Sequence, residues 1–264
     1  MRQRLLIFFL CMCAASLRSG TISYRLLRTI STPVADELRC IYFDREGMLW
    51  MGYESGLRSF DGYQTRTFRS DAYSSIIFPN NTVLCMTEDH DGNLWLGTRD
   101  GVVKMNKRTA VFTTYHLSSP ADRIIYTMFT SKDGTLWLGT DGGVSRYVKS
   151  KDTFYTYQPD RINRVDLQGR KLSAAWFSVK SIAEDRHGNL FLGTWSTGLL
   201  RFKPSTNTFV QYPQYNEMNS AYSLFIDSKD RLWIGTWGYG IERLSHPLNV
   251  RNPGWKRFEG RGEG

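Results

Sequence analysis

Two tryptophans occupy the same place in a repeated Gly-Thr-Trp tripeptide, at Trp195 and Trp237, and Tyr239 follows closely after the second. Flat aromatic side chains stack on the apolar faces of sugar rings, whose hydroxyl groups need polar partners. A tryptophan exposed in a turn gains little from folding, so its presence twice at one position indicates that a partner covers it. The three aromatic residues are therefore candidate ligand-binding residues.

Five further residues stand at the start of short apolar runs or in the turns beside them, and they vary in chemistry. They are Arg39, Arg99, Tyr126, Lys180 and Tyr222. Arginine and lysine would contact hydroxyl or anionic groups of a sugar, because both donate hydrogen bonds and carry positive charge. The aromatic residues could equally be ordinary loop residues, or contacts with a neighbouring domain or a second subunit.

The acidic residues favour turn formation over catalysis. Asp44, Asp89, Asp185 and Asp227 recur at one position of a repeat, which is typical of side chains that bond local backbone N–H groups. The segment Asp89–Asn93 superficially resembles a calcium loop but lacks its flanking helices. The four histidines fit no metal or triad spacing. The sequence therefore predicts no catalytic residue, no metal and no cofactor.

These residues lie in a repeat that organises nearly the whole chain. A segment of the form Leu-aromatic-apolar-Gly occurs five times, with steps of 42 to 54 residues between the aromatic positions. The five aromatic residues are Trp50, Trp95, Trp137, Phe191 and Trp233. A second glycine opens another apolar run after each of them, and an aromatic residue marks a fourth run. Each unit therefore predicts four short strands joined by tight turns.

Four-strand units at this spacing are typical of β-propeller blades. The predicted fold is an all-β propeller of five four-stranded blades. The predicted blades cover about residues 38–69, 82–116, 124–158, 178–212 and 220–259 of a propeller domain at 20–264. The repeated aromatic side chain would fill the wedge between neighbouring blades. Small residues ten positions before it would line the crowded innermost strands.

Two segments depart from the regular spacing of the repeat. Gln158–Phe177 adds residues between the third and fourth blades, either as a functional loop or as a tolerated surface insertion. Ile22–Ile30 resembles an outer strand that arrives before the first blade, although the fifth blade has its own outer strand at Trp255–Glu259. The strand count therefore favours an open arc of a larger propeller over a closed five-bladed ring.

Composition and the N-terminal segment exclude several classes of protein. The chain of 264 residues is 41% hydrophobic and 14% aromatic, which excludes a disordered scaffold. Its net charge of +9 is spread without a run of Lys or Arg, so nucleic-acid binding is not expected. Arginines, the apolar stretch Leu5–Ala15 and small residues follow one another as in a secretory signal peptide, predicted at residues 1–19. An uncleaved anchor is the alternative.

Four cysteines divide into two pairs. Cys11 and Cys13 would leave with the predicted signal peptide, whereas Cys40 and Cys85 occupy equivalent positions on adjacent blades. We expect Cys40 and Cys85 to pack as small buried residues. The alternative is a disulfide across the two blades, which the exported compartment permits and which needs Cα atoms within about 7 Å.

The motif Leu-Trp-x-Gly-Thr, followed by Gly-(Leu/Val)-x-(Arg/Lys)-aromatic, resembles the two-component regulator propeller repeat. The resemblance extends from about Ile22 to Phe258 and occurs five times. That repeat builds the periplasmic sensor regions of hybrid two-component histidine kinases of gut Bacteroidetes. Those regions carry two seven-bladed propellers and are associated with recognition of carbohydrate fragments. The resemblance implies that this chain is a truncated N-terminal fragment of such a sensor, an open arc of a seven-bladed propeller.

The resemblance also implies what such a fragment would do. It would be a periplasmic, non-catalytic, ligand-sensing module that recognises an oligosaccharide or another small ligand, and it could form a homodimer. Kinase and receiver motifs do not occur in the sequence, so signalling output and membrane attachment would depend on C-terminal parts. The alternative function is that of a stand-alone secreted propeller enzyme, a glycosidase or a lyase.

Overall fold

The computed structural model describes residues 36–70, 78–158, 164–165, 178–195, 197–212 and 220–258. The chain divides into two units, Met1–Glu37 and Leu38–Gly264, and every strand named below lies in the second unit. The predicted signal peptide and the predicted strand Ile22–Ile30 lie outside the described residues. Within the described ranges no helix is long and apolar enough to cross a membrane.

Each of the first three repeats folds into an antiparallel sheet of four strands in chain order. The first blade consists of β1 (Leu38–Phe43), β2 (Leu49–Tyr53), β3 (Gly56–Phe60) and β4 (Thr65–Phe68). The second blade consists of β5 (Val83–Glu88), β6 (Asn93–Thr98), β7 (Gly101–Asn106) and β8 (Val111–Tyr115). The third blade consists of β9 (Thr127–Thr130), β10 (Leu136–Gly139), β11 (Val144–Val148) and β12 (Thr153–Tyr157).

The fourth blade carries one strand more than predicted. β13 (Arg164–Val165), within the predicted insertion, pairs in parallel with the outer strand of this blade. The other strands of the blade are β14 (Ser178–Glu184), β15 (Leu190–Trp195), β16 (Gly198–Lys203) and β17 (Thr208–Gln211). The fifth blade consists of β18 (Ala221–Ile226), β19 (Leu232–Thr236), β20 (Ile241–Leu244) and β21 (Trp255–Phe258). The predicted all-β fold of five blades is confirmed.

A turn aspartate connects the first and second strands of a blade. In the first blade one oxygen of Asp44 accepts hydrogen bonds from the N–H groups of Glu46 at 3.0 Å and Met48 at 2.9 Å. Its other oxygen accepts the indole N–H of Trp50 at 2.9 Å. The indole bond recurs at 2.7 Å in the second blade and 2.8 Å in the fifth. The turn role of these aspartates is confirmed, and the additional bond orients the aromatic ring that fills the wedge.

The glycine of the repeat allows neighbouring blades to approach closely. Gly52 pairs with Cys40, and a Cβ atom at Gly52 would lie 2.6 Å from Cys40 Sγ and 2.8 Å from the Val83 carbonyl oxygen of the next blade. Gly97 pairs with Cys85 in the same way. These distances are too short for real Cβ contacts. The close packing of the innermost strands therefore requires both the glycine and a small residue opposite it.

Neighbouring blades pack through the two apolar faces of each sheet. Trp95 packs with Leu136 and Leu138 of the third blade, whereas Leu94 packs with Trp50 of the first. Successive side chains of a strand point to opposite faces, which explains this division. The innermost strands β1, β5, β9, β14 and β18 contact one another in that order. The described residues show no packing of this extent between β18 and β1, so the five blades form an open series.

One face of the fifth blade, the face that carries Ile241, is exposed to solvent. The equivalent face of each of the other four blades is buried against the next blade. The residue after the second glycine of the repeat is 0% exposed at Leu57, Val102, Val144 and Leu199, but 51% exposed at Ile241. The ring of Phe225 in the same blade is 63% exposed. Among the described residues, none covers this face in the way that each blade covers its predecessor.

Truncation of equivalent residues on these faces should therefore have unequal effects. Leu199→Ala removes contacts from a filled interface and should lower the free energy of unfolding by about 2–5 kcal/mol. Ile241→Ala removes atoms that are already half exposed and should cost less than about 1 kcal/mol. Urea denaturation of the two variants measures the difference. Equal losses would show that the face around Ile241 is covered in solution.

Cys40 and Cys85 are free thiols. The Cys40 thiol lies 3.7 Å from the carbonyl oxygen of Val83, and the Cys85 thiol lies 3.5 Å from that of Ile125, each in the next blade. Burial raises the pKa of Cys40 to about 12 and raises the pKa of Cys85 well above its usual value. The two cysteines therefore pack as small residues, and the alternative disulfide is not formed.

Both thiols should resist alkylation in the folded protein, because the reactive form is the thiolate and burial suppresses it. Iodoacetamide at about pH 8, close to the pKa of an unperturbed thiol, should leave Cys40 and Cys85 unmodified. In denaturing urea both should react readily. Peptide mapping by mass spectrometry quantifies each site, and rapid modification of either cysteine before denaturation would contradict the packing described here.

Candidate ligand-binding site

A β-bulge on the innermost strand positions three of the candidate residues, Arg39, Lys180 and Tyr222. In four blades the pairing between the first two strands shifts by one residue, at Arg39, Leu84, Lys180 and Tyr222. In the third blade Tyr126 immediately precedes β9, and its N–H donates to the Gly139 carbonyl oxygen at 2.9 Å. Bulges redirect a side chain out of the regular alternation. These five residues mark one end of the blades, which we call the mouth.

A lysine and a tyrosine meet where the third and fourth blades adjoin at the mouth. Nζ of Lys180 lies 2.9 Å from the centroid of the Tyr126 ring, and the Tyr126 hydroxyl donates to Asp141 Oδ2 at 2.9 Å. Burial and the bond to Asp141 raise the pKa of Tyr126 to about 12, while Arg99 acts to lower it and Tyr222 to raise it. Side chains from the second to the fifth blade therefore influence one region of the mouth.

Two arginines share one carboxylate where the first and second blades adjoin. Arg39 forms an ion pair with Glu54, and Arg99 Nη2 lies 4.0 Å from the same Glu54 oxygen. The side chain of Arg99 is 47% exposed. Exposed ion pairs of this kind contribute little to stability. The charged groups are therefore placed where they can bond a ligand without loss of folding energy.

Three aromatic side chains form an exposed patch where the fourth and fifth blades adjoin. Trp195 ends β15, Trp237 follows β19, and Tyr222 is the bulge residue of β18. The ring centroids of Trp195 lie 5.5 Å from Trp237 and 6.3 Å from Tyr222. The exposed fractions are 41% for Trp195, 48% for Tyr222 and 64% for Trp237. This aromatic patch offers flat stacking surfaces beside the charged groups of the mouth.

Tyr239 is the one candidate that the structure places apart. Its ring lies 5.4 Å from the guanidinium carbon of Arg257 in the outer strand β21. Among the described residues it makes no ring contact with the aromatic patch. The other seven candidates fall into three groups at the mouth: the two arginines, the pair of Tyr126 and Lys180, and the aromatic patch. Glu54 and Asp141, each in the turn after the second strand of its blade, hold Arg39 and Tyr126 in place.

A further polar group lies at the opposite end of the blades. Asp185, His187 and Asp230 could each offer one atom to a metal ion, and these atoms lie within 4.8 Å of one another. Asp185 already accepts the backbone N–H groups of His187 and Asn189, both turn bonds. Asp230 accepts the backbone N–H of Arg186 at 2.9 Å and so joins two blades. These structural roles account for the carboxylates, and we assign no metal to them.

Four-stranded blades packed side by side, with variable residues at one end of the innermost strands, define a β-propeller. The family model described as the two component regulator propeller matches residues 77–100, 118–142 and 217–238. These matches include the first two strands of the second, third and fifth blades. The chain is therefore a β-propeller, and three of its five blades match the two component regulator propeller model. None of the curated proteins compared with it matches.

Solved structures from two bacteria share this fold. The extracellular domain of BT4673 from B. thetaiotaomicron, described as a hybrid two component system, has a TM-score of 0.58 and 22% identity over 86% of this chain. That of BT3049, with the same description and organism, has a TM-score of 0.52 and 22% identity over 85%. Virginiamycin B lyase from Staphylococcus aureus has a TM-score of 0.66 and 14% identity over 88%. The chain spans 33%, 35% and 73% of these three chains, respectively.

Proposed function

We propose that this chain is a non-catalytic propeller outside the cytoplasm that senses a ligand for a two-component signalling system, and that the ligand is a carbohydrate fragment. The aromatic patch of Trp195, Tyr222 and Trp237 carries the proposal. Apolar C–H faces of sugars stack on such rings, while Arg99 of the second blade and Lys180 of β14, both at the mouth, would supply hydrogen-bond donors for oxygen atoms. Rigid strands with a repeated framework hold these varied side chains in place.

The cellular setting belongs to the same proposal. The predicted signal peptide at residues 1–19 supports a periplasmic location, and two similar structures are described as extracellular domains. Kinase and receiver domains outside the propeller would supply the output. Two sensor regions could pair as a homodimer to transmit the binding event.

Binding is favoured over catalysis by the state of the carboxylates at the mouth. Glu54 is paired with Arg39, and Asp141 accepts the hydroxyl of Tyr126. A glycosidase needs two carboxyl groups that flank the scissile bond. A lyase is the enzyme alternative with a structural counterpart, since virginiamycin B lyase shares the fold at 14% identity.

An oligosaccharide array tests the proposal. The purified chain is applied to oligosaccharides prepared from plant and host polysaccharides, and those retained are measured by isothermal titration calorimetry. We expect a defined set to bind and to be recovered unchanged, as judged by mass spectrometry. Shortened or unsaturated products would identify a glycosidase or a lyase. If no oligosaccharide binds, carbohydrate recognition is refuted.

A further inference from the structure

Lys180 is a half-buried ammonium group that forms no ion pair with the described residues. Apart from the Tyr126 ring, whose centroid lies 2.9 Å from Nζ, it has no hydrogen bond or ion pair with the described residues. Burial lowers its pKa, and the charge of Asp141 opposes this effect. An ammonium group carries three hydrogen-bond donors. At Lys180 the described part of the chain satisfies none of them with an oxygen.

The other charged groups of the mouth do not compensate for this lysine. Asp100 forms an ion pair with Arg123, and the buried Asp122 accepts a hydrogen bond from the Thr140 hydroxyl. Glu54 is shared by the two arginines, and Asp141 accepts a hydrogen bond from Tyr126. Among the described residues, Lys180 is therefore the cation of the mouth that lacks an ion pair, and an anionic ligand would supply one.

The fourth blade places this ammonium group beside the aromatic patch. Trp195 pairs with Ser178, which lies two residues before Lys180 in β14. Two residues of a strand span about 7 Å. The backbones of Trp195 and Lys180 are thus close enough for one oligosaccharide to extend over both.

We infer that the ligand of the mouth is an acidic oligosaccharide and that Lys180 is the residue that selects its anionic substituent. The inference rests on the proposed carbohydrate function and adds the class of sugar. An anionic oxygen accepts a short, charge-assisted hydrogen bond from an ammonium group and would supply the ion pair that the described residues do not form with Lys180. A uronate carboxylate and a sulfate ester share this chemistry.

The test compares uronate-containing, sulfated and neutral oligosaccharides, together with carboxyl-reduced and desulfated counterparts of those that bind. Lys180→Gln should weaken binding of an acidic oligosaccharide about tenfold or more, because a hydrogen bond to a charged group is lost. It should leave the affinity for the uncharged counterpart unchanged. Lys180→Arg should retain most of the affinity. Lys203→Gln, which alters an exposed lysine at the far end of β16, is the matched control and should have no effect.

The outcomes separate this inference from the function on which it rests. A preference for the uronate or the sulfated set identifies the source of the charge. Binding of neutral oligosaccharides alone, or an equal loss for the acidic and uncharged forms in Lys180→Gln, overturns the inference and leaves the carbohydrate proposal standing. Absence of any bound oligosaccharide refutes both. An unchanged thermal midpoint of Lys180→Gln shows that the variant is folded.

Discussion

A Lys107→Ala variant is expected to lose about 3–5 kcal/mol of unfolding free energy at neutral pH. Nζ of Lys107 lies 2.8 Å from Asp44 Oδ2 and 3.0 Å from Glu88 Oε1, and it joins the first two blades. The three side chains are 7%, 1% and 3% exposed, respectively. Without the lysine, two buried carboxylates lose their shared counter-ion, which is costly in a desolvated site. Urea denaturation measures the loss.

The size of this loss should depend on pH. Burial has the largest single effect on both pKa values, because it raises that of Asp44 and lowers that of Lys107. Hydrogen bonds from Lys107 and Trp50 nevertheless hold the pKa of Asp44 below its usual value, and bonds to Asp44 and Glu88 raise that of Lys107. The contribution of Asp44 is lost as pH falls through its folded pKa, and that of Lys107 is lost as pH rises through its folded pKa. The full difference should appear between about pH 5 and 10 and shrink on either side.

Lys149→Ala is the matched control, because Lys149 forms an ion pair with Asp91 at the surface. Nζ and Oδ2 are 2.5 Å apart, but the two side chains are 75% and 52% exposed. Solvent screens such a pair, so the variant should unfold at an unchanged midpoint. A small and pH-independent loss in Lys107→Ala would contradict the expectation, since it would show that water reaches Asp44 and Glu88.

The propeller could be predicted from sequence because its packing rules are local in the chain. Gly97 and Cys85 stand opposite each other on adjacent strands of one hairpin, and the close approach of the next blade admits no larger side chain at either position. The same constraint acts at Gly52 and Cys40. A glycine, a small residue and an aromatic residue therefore recur at fixed spacing, and that spacing is visible in the sequence alone.

The long-range features could not be predicted in this way. Asp44, Glu88 and Lys107 lie on three separate segments of two blades, and only the packing of those blades brings their charges together. A bulge is likewise a property of two paired strands, so the sequence placed Lys180 near the mouth without showing that it is the extra residue of β14. Tyr239 follows Trp237 closely in sequence, yet it lies against Arg257 of a different strand.

Replacing Trp195 and Trp237 together by alanine is expected to reduce oligosaccharide affinity by at least about a hundredfold. The two rings lie 5.5 Å apart and are 41% and 64% exposed, so both present stacking surface to a ligand. Large aromatic side chains at the centre of a binding surface commonly contribute about 2 kcal/mol or more each. Isothermal titration calorimetry with an oligosaccharide retained by the array measures the loss.

The thermal midpoint of the double variant should change little, because half or more of the Trp237 ring and much of the Trp195 ring already face solvent. Trp255→Ala is the matched control, since Trp255 is 44% exposed on the outer strand β21 and should leave affinity unaltered. The double variant with Trp195→Phe and Trp237→Phe should keep part of the affinity, because phenylalanine retains a flat apolar face. Unchanged affinity in the double alanine variant would exclude stacking by these rings. A large fall in its midpoint would instead assign both tryptophans to packing between the fourth and fifth blades.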